Sequence, residues 1–271
     1  MSERWIKITV LIAAVAVIPA VNLAQAAPAH TSPAHSSDLT IKSGIDPAVL
    51  AKAKSGDAEA QFLVAAAYRN GTGVSKDPAL SASWLRKSAE QGLAIAQFDL
   101  GLCYNLGRGV PQDYAQALAW YRKSAAQNNP SALVNLAVLY HLGNGVPKDE
   151  KQAFEYIRQA AEAGAPDAQF QLGMDYNFGA KGLKLDQSVA VEWFRKSAEQ
   201  GTVGAQVNLA MLLHDQPEET YYWLALAVPH LTGDTLEKAT KIRDGAAAAL
   251  TPAKRAEIDQ RIQQWLDAHH N

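Results

Sequence analysis

Ala94-Ile-Ala-Gln-Phe-Asp-Leu-Gly-Leu-Cys-Tyr104, then Gly107-Arg-Gly-Val-Pro-Gln-Asp113, then Ala117-Leu-Ala-Trp-Tyr-Arg-Lys-Ser124, is a stretch that matches itself when the chain is shifted by 36 residues either way. Tyr68, Tyr104, Tyr140 and Tyr176 keep that spacing. Trp84, Trp120 and Tyr156 keep it too, and Trp193 falls one residue late. A period of this length marks a stacked array of helix pairs, each too small to bury its apolar face alone. Such arrays bind more often than they catalyse.

Working outward, the repeats run 56–91, 92–127, 128–163 and 164–200, the last one residue longer at Gly179-Ala-Lys-Gly182. A fifth begins at Gly201, lacks the Gly-x-Gly turn and passes from His214 through Pro217 into Tyr221-Tyr-Trp223. Each unit predicts two helices. Ala60, Val64 and Tyr68 share one face of the first at i, i+4 and i+8. Gly71-x-Gly73, Gly107-x-Gly109 and Gly143-x-Gly145 end it, because glycine accepts positive φ. Asp77, Asp113, Asp149 and Asp186 then stand at the N-cap of the second helix. That helix carries the aromatic and, five residues on, Ala89, Ala125, Ala161 or Ala198, a large-beside-small pattern suited to close interdigitation.

The ends differ. Met1 to Ala26 reads as a cleavable signal peptide: Arg4 and Lys7, an apolar run from Ile8 to Val21, then Ala24-Gln-Ala26. The run is shorter than the ~20 residues of a comfortable span, so no membrane insertion is expected after cleavage. Residues 27–44 read as a flexible linker rich in Ala, Pro, Ser and His; His30 and His35 within it make no metal motif. Residues 45–55 predict an N-terminal capping helix opened by Asp46-Pro47. After 56–227, residues 228–271 predict a C-terminal helical cap. It consists of a loop at Leu231–Thr235, a helix from Leu236 to Leu250, and a last helix after Thr251-Pro252 with Ile258, Ile262 and Trp265 as its apolar stripe. His269-His270 reads as a frayed tail.

Lys and Arg number 25 and Asp and Glu 27, interleaved, which leaves no footprint for nucleic acid. Cys103 is the single cysteine and reads as a small buried hydrophobe. No Ser-x-x-Lys, His-x-His, His-Glu-x-x-His, Cys-x-x-Cys, Gly-x-Ser-x-Gly or phosphate loop occurs, so no catalytic residue, metal site or cofactor is expected.

The Ala-x-Ala-Gln-x-x-Leu-Gly-x-x-Tyr, Gly-x-Gly-Val-x-x-Asp and Ala-x-x-Trp-x-x-Lys runs of residues 94–123 resemble the Sel-one-like repeat (SLR), a bacterial relative of the tetratricopeptide repeat. The resemblance covers about 56–227. Gly101 departs from its counterparts at 65, 137 and 210, which are Ala. The resemblance implies an all-α superhelical solenoid whose first helices line a concave face, and a non-enzymatic adaptor. One cysteine-rich subgroup is linked to penicillin binding and weak β-lactamase activity, but staples each unit with paired cysteines that this chain lacks. With the leader, the expectation is a periplasmic or secreted scaffold for a protein or peptide partner. The alternatives are a β-lactamase-like enzyme and an envelope regulator or toxin-immunity protein.

On the first helices, the stripe opposite the packed face contains Asp99, Asn135, Gln171 and Asn208 when read across the array. Leu102, Val138, Met174 and Met211 flank them. Amides both donate and accept, so this ladder is the candidate partner-binding site, with apolar neighbours to exclude water. The bland alternative is a solvated face. The Arg-Lys pairs 86-87, 122-123 and 195-196 are expected on the wet side of the second helices, paired with nearby carboxylates.

Overall fold

The computed structural model describes residues 44–181 and 183–269. The expected leader, the linker up to residue 43, Gly182 and His270 lie outside the described residues. Among those described are thirteen α-helices and no strand. They fall into two compact units, 44–163 and 164–269.

In the first unit the helices are α1 (Pro47–Lys54), α2 (Ala58–Asn70), α3 (Pro78–Glu90), α4 (Ala94–Leu106), α5 (Tyr114–Ala125), α6 (Pro130–Leu142) and α7 (Glu150–Glu162). Each packs on the next, so hairpins α2–α3, α4–α5 and α6–α7 stack in order, with α1 against α2. The second unit continues with α8 (Pro166–Phe178), α9 (Gln187–Glu199), α10 (Val203–Leu212) and α11 (Pro217–Ala227). A 3-10 turn (Val228–His230), α12 (Gly233–Ala248) and α13 (Pro252–His269) complete it.

The punctuation residues set these boundaries. Asp77, Asp113, Asp149 and Asp186 each accept a hydrogen bond from the backbone N–H three residues on, at 2.9–3.1 Å. That satisfies donors a helix start leaves open. Gly107 closes α4 at φ 66°, its N–H on the Cys103 carbonyl. Gly109 is needed for a second reason: a Cβ there would lie 2.0 Å from the Pro78 carbonyl oxygen of the preceding repeat. Where the repeat replaces a helix-ending glycine with Asn128, the residue still takes φ 59°, a conformation asparagine tolerates.

Between hairpins, buried polar side chains bind backbone. Gln97 donates to the Ala89 carbonyl and accepts from Gln127. Ser124 donates to the Ala94 carbonyl at 2.7 Å. The third repeat replaces this set together, with Leu133, Ala160 and Ala163, so no buried partner is stranded.

The departure at Gly101 answers a steric need. A Cβ there would stand 2.7 Å from the Tyr121 ring, and one at Gly173 would stand 2.7 Å from Phe194. Where the first and third repeats have Ala65 and Ala137, the second-helix counterparts are the smaller Leu85 and Ile157. Ring and glycine are exchanged as a pair.

Three expectations are corrected. The Arg-Lys pairs mostly meet rings and phenols. Lys87, Lys123 and Lys196 sit 4.0–4.3 Å above Trp84, Trp120 and Trp193, while Arg86 and Arg122 donate to Tyr104 and Tyr140 at 2.6 Å. Only Arg195 of these takes a carboxylate, Glu219. The first cap helix begins at Gly233, not Leu236, so most of the expected loop is helical. His269 is not frayed: it stacks on Trp265 with centroids 3.8 Å apart, and its Nε2 lies 3.1 Å from the Glu199 carbonyl. Ile258 and Trp265 of α13 thereby join the core built by Trp223 and Leu224.

Candidate interaction face

The ladder residues lie on the first helices α4, α6, α8 and α10. In the first unit Asp99 is nearly buried and ion-paired with Arg69 from the preceding repeat. Asn135, Leu102 and Val138 are half-buried. The position that precedes Asp99 in the ladder is Leu63, 53% exposed, and Leu142 stands exposed at the end of α6. The face therefore opens on an unscreened leucine, which a reading that started at the second repeat missed.

In the second unit Gln171 is half-buried, while Met174, Met211 and Asn208 are buried, the last only 1% exposed. The two methionines belong to the unit's apolar core. α8 and α10 touch directly: a Cβ on Gly204 would lie 3.1 Å from the Phe170 ring. The rungs Gln171 and Asn208 follow these two contact residues on adjacent helices.

Hydrogen bonds orient the amides. Asn135 Nδ2 donates to the Ser131 carbonyl at 2.9 Å, Asn208 Nδ2 to the Gly204 carbonyl at 2.7 Å, and Gln171 Nε2 to Asp175 Oδ1 at 3.1 Å. The Ser131 and Gly204 carbonyls can only accept, as does the Asp175 carboxylate when ionised, so the nitrogen faces each partner and the oxygen turns away. On the half-buried rungs Asn135 and Gln171 the amide oxygen is thus the group left to a partner, beside an Asp99 carboxylate that Arg69 pairs. Asn208 Oδ1 is buried without a hydrogen-bond partner, an arrangement uncommon in native proteins.

Sequence reasoning missed Asp175. It is 3% exposed and occupies a column filled by Ala67, Cys103, Leu139 and Leu212 in the other repeats. Burial pushes its carboxyl above the usual range, against the opposing pull of Lys181 and Gln171. Lys181 Nζ lies 3.1 Å from Oδ2. That lysine sits in the lengthened turn, at φ 53°, so the extra residue of the fourth repeat delivers the counter-charge. A charged residue in an apolar column, beside an insertion, was the available signal. Phe178, 41% exposed, ends the same helix.

Other candidates carry less. Burial, then Asp99, push the Cys103 thiol up to about 11, so it stays protonated and unreactive near neutral pH. His141 is an exposed partner of Glu150, which His141 and Lys148 together hold down to about 2. Among the described residues no cluster of His, Cys, Asp or Glu could hold a metal ion, and no helix is long and apolar enough to cross a membrane.

A Sel1 repeat model matches residues 58–93, 94–129, 130–164 and 166–202. Among solved structures, a Sel1 repeat protein from Oxalobacter formigenes is 30% identical with a TM-score of 0.66; the match covers 72% of this chain and 57% of that one. A protective antigen of uropathogenic Escherichia coli with an SLR fold is also 30% identical, with a TM-score of 0.48, over 81% of this chain and 55% of that one. The chain thus spans little more than half the length of either. No curated protein matches it.

Proposed function

The chain belongs to the Sel1 repeat family, and from that premise we propose that it is a non-enzymatic scaffold in the bacterial envelope, holding a protein or peptide partner on its first-helix face. The family's fold is of a protein-interaction type and generally non-enzymatic. The observation that supports this face is the split within each first helix. Ala96, Leu100, Ala132, Leu136, Ala168 and Leu172 are buried and apolar in every repeat. The interleaved stripe keeps oxygen acceptors and apolar side chains but changes their identity from unit to unit. Specificity resides in positions that vary on a constant frame.

The leader read from residues 1–26 supports export, with a mature chain that starts at Ala27 in the periplasm or beyond. Mass spectrometry of the protein recovered from the periplasm should give that N-terminus; an intact Met1 would overturn the export reading. The face itself is tested with a photocrosslinking amino acid at Leu102 or Val138, and at Ser83 on the exposed side of α3. Adducts in the envelope fraction should form from the first two and not from Ser83. The reverse pattern would place the partner on the second helices and sink the proposal.

A further inference from the structure

Asp175 does nothing for the fold that leucine does not do in the third repeat and alanine in the first. A desolvated carboxylate is costly unless paired, and here the pairing requires an inserted residue in a left-handed conformation. Around it, Asp167, Gln171, Asp175 and Phe178 follow one stripe of α8. The first is exposed, the second spends its amide N–H on Asp175 and keeps its oxygen for another donor, and the last leaves its aromatic ring partly exposed. On the adjacent helix Asn208 Oδ1 is buried and lacks a donor. Oxygens next to an exposed ring suit a cation that carries N–H groups.

We propose that the first-helix face of the fourth and fifth repeats seats a lysine or arginine side chain from an extended segment of the partner. The incoming cation takes the place of Lys181 against Asp175 and covers Phe178. This rests on the scaffold reading and names its partner's chemistry. Lys181 is then a resident stand-in: it keeps the carboxylate paired in the free protein and yields to a ligand that brings more donors and more apolar contact. Lys181 is exposed and meets Asp175 as a single point charge, so a planar guanidinium fork or a better-covered ammonium competes with it.

The test uses the whole chain and three fluorescein-labelled pools of degenerate decapeptides with Lys or Arg, Gln, or Glu at the same alternating positions, read by fluorescence anisotropy. The Lys/Arg pool should bind about tenfold tighter than the Gln pool. Asp175→Asn should erase that preference, and Lys181→Met should strengthen it. Glu192→Gln, which removes an exposed carboxylate on α9, should change nothing. A preference that survives Asp175→Asn, falls equally with Glu192→Gln, or favours Gln or Glu overturns the proposal. If the Gln pool binds, weakens with Gln171→Ala and ignores Asp175→Asn, the scaffold reading stands and the cationic assignment falls. Binding of no pool sinks both. Thermal unfolding of each variant shows that it is folded.

Discussion

Two buried side chains separate what the fold needs from what it tolerates. Asp175 has a raised folded pKa, caused first by burial, so the fold prefers it protonated. Its contribution to stability is fully present below the ordinary carboxylate range and is lost as pH rises through the raised value. Asp175→Asn, which mimics the protonated form, should raise the urea midpoint at pH 7, with the gain shrinking as pH falls through the raised value and gone below the ordinary carboxylate range. An equal gain at both ends would show that the carboxylate is not the cause. Tyr121 is the second case: it is fully buried and its hydroxyl has no hydrogen-bond partner. Phe194 fills the equivalent place beside Gly173. Tyr121→Phe should therefore be neutral or stabilising by about 1 kcal/mol in chemical denaturation, since it removes an unsatisfied hydroxyl at no cost in packing. A loss of more than that would mean the hydroxyl has a partner in solution.

The helix hairpin is a unit of paired substitution. In the α4–α5 hairpin Gly101 makes room for Tyr121; in α2–α3, Ala65 packs with Leu85 in one cluster. Gly101→Ala should cost about 2 kcal/mol, the usual scale of overpacking. In a Tyr121→Leu background the same change should cost far less, with a coupling of about 1 kcal/mol in the double-mutant cycle. Additive costs would contradict the steric account. At this scale the sequence was readable in part. The Asp caps and glycine ends were visible because each acts on backbone a few residues away. The stacking of Lys87, Lys123 and Lys196 on tryptophan was not, because the three-residue spacing of ring and lysine fits a solvated face equally well. The early start of α12 at Gly233 was hidden by a glycine and threonine that usually mark a loop.

For the molecule as a whole, the repeat period was enough to read an all-α array, because each hairpin owes its core to its neighbours. The candidate face was legible only as a column of positions. Which rungs are open and which way their amides point depends on contacts the period does not encode. Asn208 and Met211 are buried, Asn135 and Gln171 are not, and Leu63 heads the column exposed. Asp175 escaped because it stands in a core column, where only comparison with Ala67, Cys103, Leu139 and Leu212 shows it to be out of place. The central claim is that the first-helix stripe, not the second-helix surface, holds the partner. The most direct measurement captures a partner from the envelope fraction with the whole chain and then determines its affinity for Asn135→Ala/Gln171→Ala and for Lys87→Ala/Lys123→Ala. The first pair should weaken binding about tenfold or more, as loss of two polar contacts covered by the partner does, and the second should leave it unchanged. Unchanged binding with the first pair and loss with the second would contradict the claim.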